Sequence, residues 1–219
     1  MPEIERELND FMQMSNEGRF DIYMGRILKG EPADFDRHYI LHTAWAARIL
    51  ASLSPTKHVD ISSSVYFNAL VSAFIPIDFY DYRPLRISLP SLLTGFADLN
   101  DLQFEDNSVP SLSCMHVIEH IGLGRYRDAL DPEGDLKAIA ELKRVMSREL
   151  LFVVPIGSPK IIFNLHRIYS YDQIISYFEG LRLMEFTLIP DTGDIVRHAT
   201  GELADKQNYG CGCFWFRKD

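Results

Sequence analysis

Residues 59–67 read Val59-Asp60-Ile61-Ser62-Ser63-Ser64-Val65-Tyr66-Phe67. A β-branched apolar run passes through three serines into a second apolar stretch. Serine is a preferred helix N-cap because its hydroxyl accepts a hydrogen bond from an orphaned backbone N–H. The stretch therefore predicts a strand over 58–61, a tight turn and a helix over 65–74. A second strand over 75–80 follows, ending at Asp81. Strand, turn, helix and strand within 24 residues is the unit from which parallel sheets are built.

The same alternation continues outward. A third strand over 92–97 ends at Asp98, after which Asn100-Asp101 and Asp106-Asn107 mark turns. A fourth, over 111–115, feeds His116-Val117-Ile118-Glu119-His120. A helix over 135–148 carries Leu136, Ile139, Leu142 and Met146 on one face, with acids at its start and bases at its end, as the helix dipole favours. The fifth strand, over 150–155, is the continuous apolar run expected of a strand buried on both faces. Ser170-Tyr171-Asp172-Gln173 is a capping box opening a helix to Phe178, with Gly180 as its C-cap. Strands six (183–189) and seven (213–217) close the domain without an intervening helix. Upstream, a helix over 38–53 shows the apolar row Leu41, Trp45, Ile49 and Leu53, with Asp36 near its start and Ser54-Pro55 at its end. An acidic helix over 2–14 and a stretch punctuated by Gly18, Gly25 and Gly30 precede it. The expected architecture is α/β: a doubly wound, seven-stranded, mostly parallel sheet of Rossmann-like type over 37–219. A helical N-terminal extension over 1–36 is expected to pack on it.

Composition sets the limits. The 219 residues are 47% hydrophobic and 24% charged, ordinary values for a globular chain with a sizeable core. Acidic residues outnumber basic ones 31 to 22, for a net charge of −9, so no global positive field draws nucleic acid. An acidic N-terminus and the lack of a long apolar run point away from a secretory signal or a membrane span, and the expected location is cytoplasmic. Three cysteines, Cys114, Cys211 and Cys213, suit a reducing compartment rather than a disulfide framework. Cys211-Gly212-Cys213 has one intervening residue where structural zinc sites have two to four, and it reads as small apolar side chains in a buried strand.

In a doubly wound sheet, ligands bind beyond the carboxyl ends of the strands, at the switch in strand order. The turn after the first strand holds Asp60, Ile61 and Ser62 there, without the glycine that lets a nucleotide-like cofactor approach the backbone closely. Asp81, at the end of the second strand, is placed either to accept hydrogen bonds from both hydroxyls of a ribose or to sit solvated in a turn, with Asp78 as competitor. Asp98, after the third strand, is similarly placed to meet an adenine amino group.

A resemblance covers about 39–219. The stretch from Asp98 through Leu102, Phe104, Asp106 and Ser108, continuing through Ser113-Cys114-Met115-His116-Val117-Ile118-Glu119-His120-Ile121, resembles the strand-three to strand-four region of class I S-adenosylmethionine-dependent methyltransferases. More narrowly, Phe35-Asp36-Arg37-His38-Tyr39, His42-Thr43-Ala44-Trp45-Ala46-Ala47-Arg48 and Gly122-Leu123-Gly124-Arg125-Tyr126 resemble a methyltransferase-like bacterial family of unassigned function, whose members are associated with sugar or cell-surface polysaccharide synthesis. The resemblance implies S-adenosylmethionine held by Asp60, Ile61, Ser62, Asp81, Tyr82, Asp98, Leu99 and Met115. It implies a small-molecule or carbohydrate-like acceptor, with oligomers allowed. His116, Glu119, His120 and His166 are the candidate bases for the acceptor proton, and His38, Tyr39 and His42 are candidate parts of a lid. The departure is in the first motif, where Ser62 and Ser64 stand at positions the family fills with glycine. That departure supports the alternative of a non-catalytic, methyltransferase-like binding module or partner subunit.

Two local motifs suggest other chemistry. His116-x-x-Glu119-His120 matches the inverted zinc-protease pattern, which needs both histidines on one helix, whereas here His116 directly follows a strand. No metal is assigned. Gly122-Leu123-Gly124 lacks the third glycine of a phosphate loop and reads as a flexible loop on the substrate side.

Overall fold

The structure, a computed structural model, describes residues 2–14, 35–126 and 128–219. The chain divides into two compact units, Met1–Phe35 and Asp36–Asp219. In the first, helix α1 (Pro2–Met14) forms where the acidic helix is expected. The glycine-punctuated stretch lies outside the described residues.

The second unit opens with α2 (Arg37–Leu53), whose N-cap Asp36 accepts a hydrogen bond from the Tyr39 N–H at 3.2 Å. Ser54 ends it in the left-handed region. Its buried face holds His42, Trp45, Ala46, Ile49 and Leu50, so the expected apolar row is flanked by a second row that takes a histidine into the core. Then follow β1 (His58–Ile61), α3 (Val65–Val71), β2 (Ile77–Asp81), β3 (Leu92–Phe96) and β4 (Val109–Met115). A single 3₁₀ turn over Ile118–His120 leads to α4 (Gly134–Val145) and β5 (Met146–Ile156). The chain continues through a small hairpin, β6 (Lys160–Ile162) and β7 (His166–Ile168), to α5 (Tyr171–Tyr177), whose capping box forms as predicted. It closes with β8 (Arg182–Ile189), β9 (Val196–Arg197), α6 (Gly201–Asp205) and β10 (Gly210–Arg217).

The main sheet runs β3-β2-β1-β4-β5-β10-β8-β9. Strands β1 to β5 are mutually parallel, and β10 is antiparallel to both β5 and β8. The order reverses between β1 and β4, which places the switch point there. Alternation along the strands divides the core between two faces. Leu150, Phe152, Val154, Phe214 and Phe216 face α4, α5 and α6, while Leu151, Val153, Cys211 and Cys213 face α2 and α3.

Three expectations are corrected. The sheet has eight strands rather than seven, the eighth being the two-residue edge strand β9 on β8. The last long strands are joined through a short helix, α6, capped by Thr200. The helix expected over 135–148 ends at Val145, because Met146 pairs with Val109 and is fully buried at the start of β5, so that Arg148 stands on a strand. Cys114, Cys211 and Cys213 are buried free thiols in β4 and β10, as the apolar-strand reading expects.

Candidate functional site

The carboxyl ends of the parallel strands open into a hollow of about 300 Å³. The residues at or just beyond the ends of β1, β2, β3 and β4 line it: Ser62, Asp81 with Tyr82, Asp98 with Leu99, and His116. The loop after β4 supplies the opposite wall through His120, Gly122, Tyr126 and Asp128. Asp81 and Asp98 are half-buried, and each spends Oδ1 on the backbone N–H two residues onward, Arg83 at 2.7 Å and Asn100 at 2.9 Å. These short turns hold the carboxylates at the rim, and neither Oδ2 has a hydrogen-bond partner among the described residues. Asp78, the competitor for the second-strand role, pairs instead with the exposed Lys57 at 3.0 Å and lies away from the hollow.

The turn after β1 is tight. Ser62 has φ 59°, in the left-handed region that favours glycine. Its N–H donates to the Tyr80 carbonyl at 2.7 Å. Asp60 is wholly buried beneath this turn and does not reach the hollow. Its carboxylate accepts hydrogen bonds from the Ser63 N–H at 3.1 Å, from Asn68 Nδ2 at 2.9 Å and from the Ser113 hydroxyl. Burial pushes its pKa up to about 6, and these bonds hold it from rising further. The Ser63 hydroxyl in turn accepts from the Met115 N–H at 2.9 Å. Since Ser113 gives its single proton to Asp60, it accepts from His58 Nε2 at 2.8 Å, and His58 Nδ1 then accepts from Ser111 at 2.7 Å. Here the serine points at the carboxylate instead of the imidazole, so the chain braces the turn and is no nucleophilic triad.

Beside the hollow lies a cluster of rings. His116, also at positive φ (56°), is anchored by its N–H to the Val153 carbonyl at 2.8 Å. Its ring stacks on His38 and Tyr39 at 5.7 and 5.5 Å between centroids and meets His42 edge-on at 5.0 Å. His116 Nδ1 lies 2.8 Å from Glu119 Oε1, and Nε2 lies 3.4 Å from Cys211 Sγ. Glu119 is buried. Burial alone would raise its pKa, but the hydrogen bond and charge of His116, with His120 nearby, bring it below the usual carboxylate value. His120 Nδ1 lies 2.7 Å from the Leu165 carbonyl, which can only accept, so the proton sits on Nδ1 and the lone pair on Nε2. Burial lowers the pKa of His120 and drives that of His38 down to about 4, so both imidazoles are neutral near pH 7.

Of the residues expected at the site, the structure brings Ser62, Asp81, Tyr82, Asp98, Leu99, His116 and His120 to the hollow. It sets Asp60, Ile61 and Met115 behind the wall, fully buried because β1 and β4 lie mid-sheet, covered on both faces, and Glu119, in the 3₁₀ turn, is buried as well. His166 lies apart from the hollow, packed against Tyr209 at 4.8 Å. His116 and His120 do not converge as a protease pair, since a 3₁₀ turn rather than a helix carries them. Arg83, Asn100, Val117, Tyr126 and Asp131 also line the hollow, and Cys211 joins the ring cluster; sequence reading missed all six. For Cys211 a signal existed: an antiparallel final strand brings its N-terminal residues to the carboxyl edge of its parallel neighbours.

Residues 89–190 match a family model described as a Caenorhabditis protein of unknown function, DUF268. No curated protein matches the sequence. Among solved structures, the chain is similar to the 1,6-didemethyltoxoflavin-N1-methyltransferase of Burkholderia thailandensis with bound S-adenosylhomocysteine: 9% identity, 83% of this chain and 78% of that one, TM-score 0.54. It is also similar to the N-methyltransferase NodS of Bradyrhizobium japonicum in complex with S-adenosylhomocysteine (13%, 82% and 86%, 0.53) and to the YcgJ protein of Bacillus subtilis (12%, 82% and 98%, 0.55). At these identities the likeness is one of fold, and the chain has the Rossmann-like fold of class I S-adenosylmethionine-dependent methyltransferases.

Proposed function

We propose that this protein is an S-adenosylmethionine-dependent methyltransferase acting on a small-molecule or carbohydrate-like acceptor. One observation carries the reading: Asp81 and Asp98, from the ends of adjacent strands, face one hollow that the Ser62 turn also enters. Two carboxylates with an oxygen each to offer, and a floor of Ala97 and Leu99, suit the ribose hydroxyls and adenine of an adenosyl group. Asp81 is assigned the ribose, Asp98 the adenine amino group, and Ser62 with Tyr82 the remainder. The cofactor would supply a sulfonium-activated methyl group, so this chain has to align the acceptor and, where needed, remove its proton. His120, neutral with its lone pair on Nε2 and lining the hollow, is the best-placed base.

Calorimetric titration with S-adenosylmethionine and S-adenosylhomocysteine tests this. Binding that Asp81→Ala weakens at least about tenfold supports the reading, since two hydrogen bonds to a carboxylate are worth more than ~1.4 kcal/mol. The second reading, a non-catalytic binding module, is favoured by the serine Cβ at positive φ in the first turn, and no heat at millimolar cofactor would select it.

A further inference from the structure

We propose that His38, His116 and Cys211 bind a divalent transition-metal ion of the zinc class, with a position left open toward the hollow. One ligand atom from each residue lies within 4.8 Å of the others. Zinc ligands at about 2.0–2.1 Å (nitrogen) and 2.3 Å (sulfur) in tetrahedral array stand about 3.5 Å apart. The His116 Nε2 to Cys211 Sγ separation is 3.4 Å, the edge such a tetrahedron needs.

The hydrogen-bond geometry fits. Glu119 accepts from His116 Nδ1, which leaves Nε2, 3.4 Å from Cys211 Sγ, as the nitrogen available to a metal. A carboxylate fixing the far nitrogen of a metal-binding imidazole is the usual outer support of such sites. The thiol of Cys211 would give its proton to solvent as the sulfur–metal bond forms. Two imidazoles and one thiolate select zinc-like ions over magnesium or calcium. Glu119 Oε2 and His42 Nε2, buried beside His116, have no hydrogen-bond partner among the described residues. Three protein ligands beside a cavity, with His116 lining that cavity, match sites that keep one position for water or substrate.

The site does not depend on the cofactor reading, and its test is separate. Cobalt(II) titrated into chelator-treated full-length protein should bind one equivalent, with tetrahedral ligand-field bands and a near-ultraviolet thiolate-to-cobalt band. Cys211→Ser should abolish the thiolate band while Cys213→Ser keeps it. His38→Ala, at the half-buried start of α2, should weaken binding at least tenfold without disturbing the core. Glu119→Gln should weaken it about 10- to 100-fold and keep the band. Absence of a thiolate band in the wild-type protein, or its survival in Cys211→Ser, would overturn the proposal.

Discussion

Ser62 and His116 hold their backbones at φ 59° and 56°, a conformation that crowds an L-residue's Cβ and costs about 1 kcal/mol each. Backbone hydrogen bonds to Tyr80 and Val153 secure the two turns, and both side chains consequently line the hollow. Ser62→Gly should therefore stabilise the fold by up to about 1 kcal/mol in a denaturant titration. A loss of stability would mean that the Ser62 hydroxyl, 3.5 Å from the Tyr80 carbonyl, holds the turn. Titration behaviour is also set residue by residue. Burial lowers His58 to about 3 in the folded protein, against about 6.5 unfolded. Below pH 6.5 the unfolded chain takes a proton that folded His58 refuses, so stability falls as pH drops from about 6.5 toward 3. Asp60, raised to about 6 from 3.8, works oppositely: its stability contribution is full below 3.8 and lost as pH rises through 6. His38 and His42, both lowered by burial, add to the His58 side, so net stability declines on acidification below pH 6.5. His58→Gln should flatten that decline by about 1.4 kcal/mol per pH unit, read from unfolding curves at pH 6 and pH 5. An unchanged slope would place the proton uptake elsewhere.

Among the elements, those with strong local signals were legible in sequence and those defined by pairing were not. The capping box at Ser170 and the apolar run of β5 announce themselves. Strand β9 and the end of α4 depend on partners distant in sequence, which no local pattern encodes. Strand β10 begins at Gly210, three residues before the apolar run suggests, and that difference hid the place of Cys211 at the carboxyl edge. The loop after β4 was legible only as flexible, whereas its shape is fixed by glycine. Gly122, at φ 75°, donates its N–H to Asp128 at 2.8 Å, and a Cβ there would stand 2.0 Å from the Asp131 carbonyl oxygen. Gly122→Ala should cost about 2 kcal/mol or more and weaken cofactor binding together with stability. A fully stable Gly122→Ala variant would show that the loop can adopt another course. Arg144 ties the preceding loop down, donating to the Leu102 and Phe104 carbonyls and to Asp106, all at 2.8 Å.

At the scale of the whole molecule, the alternation of segments sufficed for the doubly wound sheet and for the edge at which ligands gather. It could not tell which aspartate faces outward. Asp60, Asp81 and Asp98 look alike in sequence at the ends of their strands. Only burial of β1 between two covered faces turns Asp60 into a brace, while β2 and β3, nearer the sheet edge, leave their carboxylates at the rim. The central claim is that this rim holds an adenosyl group. Its most direct test is a crystal structure of the protein with S-adenosylhomocysteine. The account predicts ribose hydroxyls on Asp81, adenine beside Asp98 and Leu99, and the sulfur end toward Ser62 and His116. Density for the adenosyl group away from Asp81 and Asp98, or a hollow still filled by water at saturating ligand, would contradict it.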